Sequence, residues 1–289
     1  MIFFVLLALA LATAQSFTYD AAEANRTVWL SAAAYCPRAS FASREFLGPT
    51  SGFVVTRTLY DAASDMQGFV GYLPSANSIY VVFRGSASMR NWIVDVETWQ
   101  TPYTSSPECG CQVHAGFYST EQAVISDVLS AVSQLVAKYP SYSVRVTGHS
   151  LGGAVALLAG LDLLAARIPN TMYSIGQPRV GDRAFALFAE HLPSFRITHD
   201  RDSVPHIPDF DGFAHACGEQ FESAAGDVGP CTCEEGGDPL CAAQYSLSET
   251  SAADHMLYLG LPVYCEAVST PADLLLYRPP PASVESAET

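Results

Sequence analysis

The chain has 289 residues, 49% of them hydrophobic, with 14 Lys and Arg against 29 Asp and Glu and a formal net charge of −15. That charge disfavours nucleic acid and anionic membrane surfaces as partners and leaves neutral substrates open. The length suits one large α/β domain or two small ones, and the lack of a linker-like break before Pro271 favours one.

The chain begins MIFFVLLALALATAQS. This apolar run is short for a bilayer span and ends in Ala12-Thr13-Ala14, a small-x-small cleavage pattern. Residues 1–14 are read as a secretory signal peptide, although no Lys or Arg precedes the apolar run. The alternative is an N-terminal membrane anchor. No later segment is long and apolar enough for a transmembrane helix, so stable membrane insertion is not expected. All eight Cys follow the cleavage point, and an even count in an exported chain predicts disulfides. Asn25-Arg26-Thr27 is a glycosylation sequon.

Further along, SIYVVFRGS (78–86) reads as a buried strand ending at a Gly turn. In residues 118–140, Ile125, Val128, Val132, Leu135 and Val136 fall at helical spacing, and Ser119 with Gln122 has the spacing of a capping box. SYSVRVTG (141–148) is a second strand, and LGGAVALLAGLDLLAARI (151–168) a helix apolar nearly all round, hence buried. TMYSIGQP (171–178) and SFRITHD (194–200) read as two more strands. Strands alternating with helices predict an α/β fold whose sheet is mostly parallel and covered on both faces. Residues 15–270 form the expected catalytic domain. Residues 271–289, with their prolines and acidic end, are expected to be a disordered tail.

The stretch VTGHSLGGA (146–154) carries the chemistry. Gly148-His149-Ser150-Leu151-Gly152 matches G-x-S-x-G, with a strand before it and a helix after it. A nucleophilic Ser at such a tip adopts strained backbone geometry, and flanking glycines let strand and helix pack closely. The helix after Ser150 also points N–H groups at the place where an oxyanion forms. The bland alternative is a Gly-rich turn holding a chance Ser. A Ser nucleophile needs a base, and the base an orienting acid, in the chain order Ser, acid, His for this elbow. His255, in ADHMLYLGL, fits the base by order and context. His206 reads as a loop stabiliser and His215 as structural. Asp200 and Asp202 both lie just past a strand end, where open α/β sheets present functional groups, and residue chemistry alone does not separate them.

Four separated motifs, VVFRGSASMRNWI, VTGHSLGGA, GQPRVGD with THDRDSVPHIP, and DHMLYLG, resemble the fungal-type class 3 (triacylglycerol) lipases of the α/β-hydrolase fold. They lie within residues 27–265. The resemblance implies Ser150, Asp202 and His255 as catalytic triad, with Ser203 a polar departure from the family's hydrophobic-Val-Pro triplet. It implies oxyanion donors at Ser86 and Leu151, with Asp95 steadying Ser86. It also implies bridges Cys36–Cys265 and Cys109–Cys111. Cys217, Cys231, Cys233 and Cys241 allow three pairings, or a four-Cys zinc site.

The resemblance further implies a lid after Gly85. Met89, Trp92, Ile93 and Val96 share one helical face, as an interfacial lid requires; an ordinary core-facing helix has the same pattern. The expected substrate is a neutral lipid ester at an oil–water interface, with no cofactor or metal required and a monomeric enzyme. A feruloyl esterase or phospholipase A1 on the same fold, or an inactive binding protein, are the rival readings.

Overall fold

The computed structural model describes residues 18–86, 99–209, 212–234 and 236–269. The expected signal peptide, the lid residues Met89, Trp92 and Ile93, Asp95 and the C-terminal tail lie outside the described residues.

An eight-stranded sheet forms the frame, and its spatial order follows the chain: β1 (Val54–Asp61), β2 (Met66–Leu73), β3 (Ser78–Phe83), β4 (Ser143–His149), β5 (Asn170–Ile175), β6 (Ser194–His199), β7 (Glu219–Glu222) and β8 (Val228–Pro230). The five strands β3 to β7 run parallel. β1 and β2 add antiparallel strands at one edge and β8 at the other. The expected mostly parallel sheet is present, and each strand read from the sequence falls on a strand of the structure.

Alternation along the strands sorts side chains into two cores. Ile79, Val81 and Phe83 of β3 pack with α3 (Ile125–Lys138) and α4 (Leu151–Ala165), whereas Tyr80 and Val82 turn the other way, towards α1 (Ala21–Ala33). Helices therefore cover both faces. α4 carries almost no polar residue because it is buried nearly all round.

One sequence expectation needs correction. Residues 118–140 do not form one capped helix: α2 (Ala115–Gln122) ends before α3 begins. Ser119 lies inside α2, whose N-cap is His114, with its Nδ1 accepting from the Gly116 and Phe117 N–H groups. An imidazole acting as cap leaves no sequence signal of the Ser/Thr/Asp/Asn kind.

All eight cysteines pair. Cys36–Cys265 and Cys109–Cys111 match the expected bridges, and the remaining four join as Cys217–Cys233 and Cys231–Cys241. Disulfides take the place of the zinc alternative. The sequon lies within α1, where Thr27 is buried and donates its hydroxyl to the Ala24 carbonyl.

Candidate active site

Ser150 stands at the turn from β4 into α4 with φ 60° and ψ −128°. A non-glycine residue held there stores on the order of 1–3 kcal/mol of strain. The surrounding glycines explain how the turn is tolerated. A Cβ on Gly148 would lie 2.2 Å from the Gly152 carbonyl oxygen, and one on Gly152 would lie 2.3 Å from that of Phe83. Both are far inside contact distance, so strand, turn and helix meet only because these side chains are absent. The Ser150 N–H bonds the Ile175 carbonyl of β5 at 2.8 Å, tying the tip to the sheet.

Leu151 is the first residue of α4, so its N–H has no carbonyl one turn back within the helix. Gly85 passes against Ser150, because a Cβ built on it would sit 3.0 Å from Ser150 Cβ. Ser86 follows directly. The chain leaving β3 and the first turn of α4 thus meet at Ser150.

β6 and the loop before a short hairpin deliver the partners. His255 Nδ1 lies 2.7 Å from Asp202 Oδ2, with the two side chains essentially buried. Tyr258 Oη donates to the same oxygen. Asp202 Oδ1 accepts the Val204 N–H at 2.8 Å. A carboxylate only accepts, so the imidazole carries its proton on Nδ1 and turns Nε2 away from Asp202 as a lone pair. Nε2 makes no hydrogen bond among the described residues. Tyr258 lies in a two-stranded hairpin, Leu257–Tyr258 with Leu261–Pro262, whose turn residues Leu259 and Gly260 both have positive φ. Burial and the neighbouring Asp202 push the Tyr258 phenol well above its ordinary range, so it stays a proton donor.

Two further imidazoles hold the loop that carries His255. His149 Nε2 donates to the His255 carbonyl at 2.8 Å, and His199 Nδ1 to that of Asp254 at 3.0 Å. His149 is fully buried, its ring centroid 4.3 Å from that of His255. Burial, and then the neighbouring His255, push its pKa well below the ordinary imidazole value.

The lipase (class 3) family profile matches residues 80–212. A lipase of Rhizomucor miehei is 36% identical over 228 residues, covering 73% of this chain and 60% of the relative. The solved structure of lipase II from Rhizopus niveus is 33% identical with a TM-score of 0.76, and the match covers 85% of this chain and 96% of that one. The chain belongs to the class 3 lipase family. A solved triacylglycerol lipase of 32% identity and TM-score 0.72, matched over 84% of this chain and 95% of its own, is described as having a serine protease triad as its catalytic centre. The chain spans 60% and 55% of the length of the Rhizomucor and Rhizopus niveus lipases it matches in sequence.

Within this class 3 lipase fold, the residues picked from sequence separate clearly. Asp202 meets His255; Asp200 instead accepts from Tyr245 Oη at 2.9 Å, half-buried rather than turned to solvent. His215 Nε2 donates to the Pro205 carbonyl at 2.7 Å, a structural bond. His206 borders a separate cavity of about 500 Å³. Ser203, the polar departure, is buried with no partner for its hydroxyl among the described residues. Tyr258, Tyr35 and the side chains of His149 and His199 were not picked out from sequence. Tyr258 and His149 sit inside the motifs already quoted, but an aromatic near a His and a His beside a Ser have no spacing rule that announces their contacts.

Proposed function

We propose that this chain is a secreted triacylglycerol lipase using Ser150, His255 and Asp202 as its triad. The observation that carries the reading is a strained, glycine-flanked Ser whose chain neighbour His149 lies with its ring centroid 4.3 Å from that of His255, an imidazole whose Nδ1 is fixed by a carboxylate at 2.7 Å. The lipase relatives support the substrate class, and the four disulfides with the apolar N-terminal stretch support export.

In this reading, Ser150 Oγ attacks the ester carbonyl carbon as its proton passes to His255 Nε2. Asp202 holds the Nδ1–H tautomer and stabilises the imidazolium that forms. The N–H groups of Ser86 and Leu151, with the Ser86 hydroxyl, receive the oxyanion, a contribution worth roughly 3–4 kcal/mol per donor in comparable sites. His255 then protonates the departing alcohol. Water, deprotonated by His255, releases the acid from the acyl-enzyme. The chemistry calls for no metal or organic cofactor.

Ser150 and His255 have no exposed surface and Asp202 is 2% exposed. An ester reaches them only if part of the covering moves. The helical spacing of Met89, Trp92 and Ile93 supports assigning residues 86–96 as the lid that opens at an oil surface, its apolar face exchanging protein for lipid.

The test is hydrolysis of p-nitrophenyl esters of graded chain length, emulsified triglyceride and methyl ferulate, beside fluorophosphonate labelling. Ser150→Ala should lose labelling and roughly 10⁴–10⁶ in kcat while keeping its fold. More than a few per cent residual activity ends the triad assignment. Strong methyl ferulate hydrolysis without activity on triglyceride moves the chain to the feruloyl esterase reading.

A further inference from the structure

The imidazole of His149 takes no part in the proposed reaction, yet it touches the base from the nucleophile's side of the pocket. Its Nε2 lies 2.8 Å from the His255 carbonyl oxygen. Its Nδ1 lies 2.7 Å from Tyr35 Oη, just beyond the end of α1. A carbonyl can only accept, so Nε2 carries the proton. Nδ1 of a neutral ring is then an acceptor, and the Tyr35 hydroxyl donates to it. The other tautomer would face two lone pairs at the His255 carbonyl. Tyr35 therefore selects the one form of His149 that can hold the His255 backbone.

His149 is also covalently next to Ser150. Two atoms that must meet, Ser150 Oγ and His255 Nε2, lie on segments 105 residues apart, in a turn and a loop. One side chain spans the gap between those segments. The short turn Asp254–Met256 has no side-chain cap of its own, which leaves its orientation to such outside bonds.

We propose that His149 and Tyr35 are positioning residues: Tyr35 fixes the His149 tautomer, and His149 sets where His255 stands relative to Ser150. The inference rests on the triad reading above. A misplacement of about 1 Å at a reacting centre costs on the order of 100-fold in rate, which sets the scale expected here.

The experiment compares wild type, His149→Leu, His149→Gln, Tyr35→Phe and the double variant Tyr35→Phe/His149→Gln on a soluble p-nitrophenyl ester. Thermal melts confirm folding. Gln keeps an N–H donor near the Nε2 position but has no tautomers. His149→Leu should lose roughly 100-fold in kcat with KM changed by less than about threefold, and His149→Gln should recover to within about tenfold of wild type. Tyr35→Phe should cost roughly tenfold alone and less than about twofold in the His149→Gln background, because its effect runs through the tautomer. Unchanged kcat in His149→Leu overturns the proposal. So does a Gln variant as impaired as Leu, or a Tyr35→Phe loss equal in both backgrounds. If His149→Leu does not fold, the Tyr35→Phe cycle decides alone. Activity that survives Ser150→Ala defeats the triad reading instead, whatever the His149 variants do.

Discussion

Glu121 offers a sharp thermodynamic test far from the proposed chemistry. It lies in α2 with no exposed surface; Oε2 accepts from Gln122 Nε2 at 2.8 Å, and Oε1 has no partner among the described residues. Burial, and then the charge of Asp162, push its pKa from 4.5 to about 8. Asp162 is itself raised by burial, against bonds from Tyr103 Oη and Ser105 Oγ. Between pH 4.5 and 8 the folded protein holds a proton at Glu121 that the unfolded chain releases. The stability linked to that proton is complete below pH 4.5 and is lost as pH rises through about 8. The ceiling is about 5 kcal/mol at roughly 1.4 kcal/mol per pH unit. Glu121→Gln keeps the shape, removes the titration and can donate towards Asp162. Calorimetric melts from pH 4.5 to 9 should show its Tm close to wild type at the acid end. At the alkaline end it should be higher by at least about 4 °C, since about 1 kcal/mol moves Tm by roughly 2–4 °C in a domain of this size. Parallel Tm curves for the two proteins across the range would refute the reasoning.

The catalytic predictions are more local. Asp202→Asn should leave the fold intact and lower kcat by about 10⁴, because the amide favours the wrong imidazole tautomer. Asp200→Asn, which keeps an acceptor for Tyr245, should stay within about tenfold of wild type. Equal losses in kcat assays of the two variants would undo that assignment. Trp92→Ala should blunt the rise in rate when a short triglyceride passes its solubility limit, since burying a large apolar side chain is worth roughly 1.5–3 kcal/mol. Its rate on a soluble short-chain ester should change little, and a smooth wild-type saturation curve through the solubility limit would remove the lid.

Four of the five parallel strands were legible because apolar residues cluster there between Gly, Pro or Asp, as in the run Ile79–Phe83 of β3, and α4 because it is apolar nearly all round. β7, Glu219–Glu222, holds one apolar residue, Phe221, and gave no such signal. The break between α2 and α3 was not, because Ala123 and Val124 carry no Gly or Pro signal and the cap is a histidine. The elbow was legible from Gly148 and Gly152 together with the strand before them and the helix after them, and the absent side chains are what the turn requires. The choice between Asp200 and Asp202 was not legible from residue chemistry. The resemblance favoured Asp202, and the structure gives the physical difference. The chain turns sharply at Asp200, with φ 34°, sending that side chain to Tyr245 while Asp202 turns inward to His255 and Tyr258. Cysteine pairing was open for the same reason: Cys217, Cys231, Cys233 and Cys241 lie within one loop-rich stretch, where sequence distance does not choose partners.

Three buried carboxyl groups show how surroundings assign a role to one residue type. Glu121 has one hydrogen-bond donor and a neighbouring acid, so it keeps its proton and acts as a neutral group. Burial raises Glu219, but Arg196 at 2.8 Å, Thr198 and the Ala242 N–H outweigh it and hold the group below its ordinary value, a fixed ion pair joining β6 to β7. Asp202 has no arginine or lysine against it in the described network; its donors are an imidazole, a phenol and a backbone N–H. A guanidinium in that place would spend the carboxylate's field on a permanent cation and leave little for the transient one on His255. Neutral donors orient the carboxylate and leave its charge for the imidazolium of the proposed reaction. The same logic suits a neutral His149, since a second cation 4.3 Å from the His255 ring would oppose the proposed proton transfer from Ser150.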